Sequence, residues 1–116
     1  MGPFSFSKQE RLLKRSDFVN LNRSGKRVYT QHFIIIRKRN ELGITRLGVT
    51  AGKKVGNAVR RNRIKRLIRE IFRLHKAHFS QGYDIVIIAK KDASYLDLGR
   101  VEEELGKIVS EATFSI

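Results

Sequence analysis

The 116-residue chain contains no cysteine. Disulfides, cysteine-based zinc sites and thiol catalysis are therefore excluded. Long apolar runs are also missing. The longest, at 33–36 and 85–89, are strand-sized and far shorter than a membrane span. Residues 1–7 have no basic stretch leading into an apolar one, so a secretory leader is not expected and the expected setting is the cytoplasm. Acid is scarce as well: 11 Asp and Glu face 25 Lys and Arg, a formal net charge of +14. Such a surplus repels itself in a compact state unless a polyanion offsets it, and RNA, DNA and anionic membrane all qualify.

The shortage of acid is local. Residues 53–76 carry 10 basic residues and 1 acidic one, and residues 1–39 carry 10 and 2. Residues 77–116 reverse the balance, with 4 and 7. The first two-thirds of the chain is thus the expected polyanion-facing part and the remainder the scaffold.

The length fits one domain over 1–116, with 1–7 read as a flexible lead-in. Ser16 is a suitable N-cap for a short helix to about Arg23, with Gly25 as its stop and Phe18, Leu21 and Asn22 on one side. Residues 28–38 (VYTQHFIIIRK) read as one strand and 46–52 as a second, joined by a turn at 40–43 into a hairpin. Asn57 can cap a long helix to about His78, and Gln81 and Gly82 end that region. Residues 83–90 (YDIVIIAK) form a strand whose continuous apolar run predicts burial on both faces. A last helix over 97–112 turns Val101, Leu105, Ile108, Val109 and Ala112 inward. The resulting order is α-β-β-α-β-α, an α+β fold of the α/β-sandwich kind.

Residues 57–76 (NAVRRNRIKRLIREIFRLHK) carry the functional signal. At 100° per residue, Ile64, Leu67, Ile68, Ile71, Leu74 and His75 share one face, with Phe72 at its margin. Asn62, Lys65, Arg66, Arg69, Arg73 and Lys76 lie opposite, with Arg61, Arg63 and Glu70 on the flanks. A solvated charged face is the ordinary reading of such a run. Here the acids that would intersperse it are nearly absent, and only Arg66 and Glu70 offer an i, i+4 pair. The six arginines against two lysines favour structured nucleic acid over a membrane surface, because guanidinium forks pair with phosphate oxygens and stack on bases. The loop Gly52-Lys53-Lys54-Val55-Gly56 leads into the helix, and its amides could hold a phosphate. It is no Walker loop: Gly48 and Gly52 are separated by three residues, and no Ser or Thr follows the lysines.

A protein active site is not visible. His75 and His78 stand i, i+3, but no carboxylate nearby in sequence completes a metal site, and the serines lack an activating base. No catalytic residue and no protein metal ligand is expected.

The string from Lys53 to Glu70, centred on Arg61-Asn62-Arg63 and followed by Ile64-Lys65-Arg66, closely resembles the pattern of the bacterial ribonuclease P protein subunit. Arg11-Leu12, Asp17-Phe18, Arg46-Leu47-Gly48-Val49 and 83–90 agree with it in order, across nearly the whole chain. The resemblance implies a partner, the catalytic RNA of ribonuclease P, and a substrate, precursor tRNA, whose 5′ leader is removed using magnesium held mainly by RNA. It implies a ribosomal-protein-domain-like fold with a left-handed β-α-β crossover, against the usual right-handed rule. It also implies RNA-binding roles for Lys53, Lys54, Arg61, Asn62, Arg63, Lys65, Arg66 and Arg69, and Arg60 and Arg73 of the same basic run are expected to bind RNA with them. Leader contacts are implied at Phe18 and at the places of Asn22 and Ile36, where family members often carry further aromatics. Phe18 also reads as a core residue. No protein oligomer and no membrane partner is predicted. The competing readings are a ribosomal or general RNA-binding protein, a DNA-binding module and an independent nuclease. The DNA reading lacks a helix-turn-helix partner upstream, and the nuclease reading lacks a cluster of carboxylates or histidines.

Overall fold

The computed structural model describes residues 8–12, 14–75 and 82–114, with side chains of the last helix described to residue 106. The flexible reading of 1–7, the predicted helix end near 78 with Lys76 and His78, and the inward side chains of Ile108, Val109 and Ala112 lie outside these described residues. In chain order the elements are α1 (Arg15–Ser24), β1 (Lys26–Tyr29), β2 (Phe33–Arg39), β3 (Arg46–Ala51), α2 (Ala58–Leu74), β4 (Tyr83–Ala89) and α3 (Leu98–Phe114). Single 3-10 turns occupy Lys8–Glu10, Lys53–Val55 and Ala93–Tyr95. The α+β sandwich is as expected, with one strand more than the predicted order.

The extra strand comes from 28–38, which folds back on itself instead of running straight. Thr30 N donates to Phe33 O at 2.8 Å, and Phe33 N donates to Thr30 Oγ1 at 3.0 Å, closing a tight turn at Gln31 and His32. Neither turn residue takes a positive φ. The turn is fixed from a distance: Glu104 of α3 accepts from Thr30 Oγ1 at 2.6 Å and from His32 N at 2.9 Å. The same carboxylate meets His32 Nδ1 at 2.7 Å. No local Gly or Pro marks the bend, which is why one strand is read from the sequence.

The sheet order is β1-β2-β4-β3, with β4 antiparallel to β2 and parallel to β3. The expected hairpin between 28–38 and 46–52 does not form, because β4 lies between β2 and β3. The cause is in the β4 sequence. Five of its seven residues are buried, from both faces, and such a strand is best satisfied by partners on both edges. The hairpin is instead β1–β2, and β3, α2 and β4 form a crossover unit.

The two faces of the sheet are covered differently. On one, Ile64, Ile68, Ile71 and Phe72 of α2 and Val101 and Leu105 of α3 pack against Phe33, Ile35, Leu47, Ile85 and Ile87. On the other, Leu21 of α1 and Leu12 pack against Ile36 and Val86, with Phe18 alongside. Register sets three rows across this second face: Tyr29–Ile34–Ile88–Thr50, Arg27–Ile36–Val86–Gly48 and Lys38–Asp84–Arg46. Arg46 anchors the third row by forking onto Asp84 at 2.8 and 2.7 Å, and its Nη1 reaches Asp17 of α1 at 3.6 Å. The Asp84 hydrogen bonds outweigh partial burial and hold the Arg46 guanidinium above its ordinary pKa.

The first helix begins earlier than its expected cap. Lys14 occupies the N-cap without a side-chain bond, and the amides of Asp17 and Phe18 return to Lys14 O at 3.1 and 3.4 Å, so Ser16 is inside the helix. Gly25 does stop it, but not through a left-handed turn: its φ is −75°. The glycine is required by space, since a Cβ there would stand 2.4 Å from Ile36 Cγ2 and 2.6 Å from Leu21 O.

Two outcomes follow from these contacts. Gly25→Ala must displace backbone or a buried isoleucine and should cost about 1–3 kcal/mol, read from the denaturant midpoint. Burial opposes ionisation of Glu104, but the hydrogen bonds from His32 and Thr30 prevail and lower its pKa below the usual glutamate value. A carboxylate of that kind stabilises the fold above its unfolded pKa and loses the contribution as pH falls through the folded one. Glu104→Gln should therefore lower the unfolding midpoint at neutral pH and flatten its decline on the acid side of the usual glutamate pKa. A parallel acid limb in wild type and variant would refute the assignment.

Candidate nucleic-acid interface

The basic helix begins with an observed cap. Asn57 Oδ1 accepts from Arg60 N at 3.0 Å, and Gly56 at φ 147° makes the bend out of the Lys53–Val55 turn. A side chain at Gly56 would be strained, and its Cβ would meet Arg60 Cδ at 3.0 Å. The buried stripe of α2 is Ile64, Ile68, Ile71 and Phe72. It is turned roughly 30° from the predicted face. Phe72 is therefore core instead of margin, and Leu74, expected inward, is 39% exposed. The cause is the second support: α3 packs beside the sheet against α2, and Val101 and Leu105 join the same cluster as Phe72.

The cations divide into two groups. Arg61, Lys65, Arg66 and Arg69 make no ion pair with any described residue. Asn62 and Arg66 are exposed, as are Lys53 and Lys54 at the foot of the helix. Partial burial, and then the positive charge of Arg11, lower the pKa of the Arg69 guanidinium. Two guanidinium groups held near one another can donate jointly to the oxygens of one phosphate.

The other cations are engaged inside the protein. Arg63 Nη1 donates to the carbonyls of Ser94 at 3.1 Å and Leu96 at 2.9 Å. Ser94 Oγ in turn donates to Val55 O at 2.8 Å. Arg63 thus ties the turn after β4 to the start of α2. Arg60 donates to Tyr95 Oη at 2.9 Å and lies over its ring, 5.0 Å from the centroid. Arg73 pairs with Glu70, so the expected Arg66–Glu70 pair does not form. Its hydrogen bond to Arg73 lowers the Glu70 pKa, and that contact raises the Arg73 pKa. His75, expected on the apolar side, instead reaches Glu102 of α3 at 3.1 Å.

Arg11 was not among the RNA-facing residues expected from sequence. It bridges to Leu47, and Leu12 N donates to Leu47 O at 2.9 Å, so the 8–12 segment runs along the free edge of β3 beside α2. The signal was the basic run 8–15, whose position against α2 depends on a contact some 36 residues away in sequence.

The leader candidates are separated by the fold. Phe18 is half-buried, and its ring lies over Gly48, where a Cβ would come within 2.6 Å of Phe18 Cζ. Asn22 is exposed and accepts from Arg27 Nη2 through its backbone oxygen at 3.0 Å. Ile36 is 0% exposed beneath α1. It presents no surface to a ligand, which corrects the expected contact: the helix that packs on Leu21 also closes over Ile36. Among the described residues no three His, Cys, Asp or Glu side chains converge to hold a metal ion, and no helix is long and apolar enough to cross a membrane.

The sequence pattern described as Ribonuclease P matches residues 6–113. A protein of Desulforapulum autotrophicum named Ribonuclease P protein component is 50% identical over 108 residues, covering 93% of this chain and 92% of that one. Its namesake in Syntrophus aciditrophicus is 47% identical over 111 residues, covering 96% and 93%. Among solved structures, the RNase P protein of Staphylococcus aureus superposes with a TM-score of 0.82 at 36% identity, covering 89% of this chain and 94% of that one. The Thermotoga maritima protein does so with a TM-score of 0.81 at 36% identity, covering 88% and 96%.

Arg63 and Arg66 are close in sequence but opposite in expected effect. Arg66→Ala should leave the unfolding midpoint in place, weaken RNA binding and reduce the slope of log affinity against log salt by about one. Arg63→Ala should cost roughly 1–3 kcal/mol of stability through two lost charged hydrogen bonds. If Arg63→Ala proves as stable as wild type, the strut is not a strut.

Proposed function

The chain belongs to the ribonuclease P protein family, and from that membership we propose how its surfaces divide the work of tRNA 5′-end processing. It is the protein component that acts with the RNA of ribonuclease P. In this reading the RNA performs the cleavage and the protein holds RNA and substrate. The observation that carries the proposal is the row of unpaired cations on α2 beside a basic lead-in, without a converging acid or histidine group among the described residues.

Arg61, Asn62, Lys65, Arg66 and Arg69, with Lys53 and Lys54, are proposed to bind the catalytic RNA. One helix, Ala58–Leu74, carries the first five of them and holds them in a fixed order. Release of counterions from those phosphates supplies affinity that declines steeply with salt. Arg60 and Arg63 act one step back, shaping the turn beside the helix foot. Precursor tRNA is the proposed substrate, with its single-stranded leader in the cleft between α1 and the second sheet face. Phe18 divides its ring between that cleft and the core, and Asn22 offers a polar edge. Magnesium, which the family resemblance implies, meets no converging group of three His, Cys, Asp or Glu side chains among the described residues, and the proposal leaves the ion with the RNA. The cytoplasm is the proposed setting.

The test is precursor-tRNA cleavage by the RNA subunit at low magnesium, with and without the chain. The chain should stimulate cleavage strongly and should cleave nothing alone. Absence of stimulation would sink the proposal; cleavage by the isolated chain would overturn its division of labour.

A further inference from the structure

The row Lys38–Asp84–Arg46 borders a cavity of about 300 Å3, closed on its other side by Asp17, Asn20 and Leu21 of α1 and at its mouth by Leu42. That is the small end of the range for ligand sites, roughly 300–1,000 Å3. At 100° per residue Asp17 and Asn20 lie on the opposite side of α1 from Phe18 and Asn22. The cavity is therefore separate from the cleft proposed for the leader.

Its floor and mouth are fixed by the protein alone. Asp84 is occupied, accepting from Arg46 at 2.8 and 2.7 Å and from Asn40 Nδ2 at 2.8 Å. Asn40 also donates to Ile44 O at 3.0 Å and accepts from Leu42 N at 2.9 Å. The loop so tied takes Glu41 to φ 59°, an uncommon conformation for a residue other than glycine, and sets Leu42 outward, 58% exposed.

The polar groups on the α1 side are not occupied. Asp17 Oδ2 is enclosed without a hydrogen-bond donor among the described residues, and Arg46 Nη1 stands off at 3.6 Å. The Asp17 side chain is still 24% exposed, and its Oδ1 has no described partner. The exposed Asn20 carboxamide has none either. Across from them a cation is steadied at the rim: Lys38 Nζ donates to Ser24 Oγ at 2.9 Å, one turn after Asn20.

We propose that this cavity is a nucleotide site that prefers guanine, with the base edge at Asp17 and Asn20, a base face on Leu42 and the phosphate at Lys38. Guanine sets two adjacent N–H donors beside a carbonyl. A carboxylate accepts from the donors, and a carboxamide N–H donates to the carbonyl. Adenine and cytosine would bring a ring-nitrogen acceptor against the carboxylate, and such a mismatch leaves polar groups unpaired. A free guanosine monophosphate and an unpaired guanosine of bound RNA offer the same chemistry, and the test separates them. The assignment does not depend on the function proposed above.

The full chain is titrated calorimetrically with guanosine monophosphate, adenosine monophosphate and inorganic phosphate. Wild type should bind the guanosine nucleotide about tenfold more tightly than the other two. Asn20→Ala changes a side chain without a described contact, so it should keep the unfolding midpoint and weaken guanosine binding on the order of tenfold. Asp17→Asn should abolish the preference for guanine over adenine, and Lys38→Gln should weaken both nucleotides alike. In the assembled ribonucleoprotein, guanosine monophosphate that weakens binding of the RNA subunit or of precursor tRNA supports the site with an RNA guanosine as its occupant. Binding that leaves both affinities unchanged supports it with a free nucleotide. Equal affinity for the two nucleotides, affinity no greater than for phosphate, or no saturable binding overturns the site. Guanosine binding that survives Asn20→Ala but falls on changing Arg66 would place the nucleotide on α2 and overturn it too.

Discussion

The position of β4 between β2 and β3 governs the rest of the molecule. Its residues face both ways, so Ile85 and Ile87 demand a cover on one face and Val86 on the other. The first demand is met by α2 and α3, the second by α1 and the 8–12 segment. Because β3 runs parallel to β4, the chain must cross the sheet between them, and α2 is that crossing. The helix is therefore pinned along its apolar stripe by the same strand pairing that fixes its ends. Its polar side can carry unbalanced charge because the opposite side is thoroughly buried: Ile64 and Ile68 are fully enclosed. Burial of such side chains contributes about 1.5–3 kcal/mol each, enough to tolerate a few repulsions among exposed guanidinium groups, each small in water.

Much of this was legible from residue order. The Asn57 cap and the 3.6-residue spacing of Ile64, Ile68 and Ile71 define α2, and the YDIVIIA run announces a strand covered on both faces. What could not be read were contacts between distant segments. The turn at Gln31 and His32 has no local marker because Glu104, more than seventy residues away, supplies its hydrogen bonds. Strand adjacency in sequence suggested a hairpin that the insertion of β4 forbids. A helical wheel put Arg63 on a flank without revealing that the turn holding Ser94 and Leu96 would come to rest there. The same limit hid the burial of Ile36 and the proximity of Arg11 to Arg69.

The cations also show that identical residue types within one helix serve different ends. Arg63 and Arg73 are occupied by carbonyls and by Glu70, whereas Arg61 and Arg66 meet no described acid. A motif such as Arg61-Asn62-Arg63 mixes an internal brace with an outward contact. On the proposed interface, changing its members would thus act by two routes, one through phosphate and one through the shape of the helix foot.

The row of α2 cations that meet no described acid has a consequence for the free protein. Repulsion among those cations burdens the folded state, and a bound polyanion relieves it while binding the folded form preferentially. By mass action the assembled subunit is then the more stable one, by an amount that grows with the free RNA concentration relative to the dissociation constant. Chain made in excess of its RNA is the less stable pool and the first exposed to proteolysis. On the proposed interface, the charge pattern thereby couples the lifetime of the subunit to its stoichiometry with RNA.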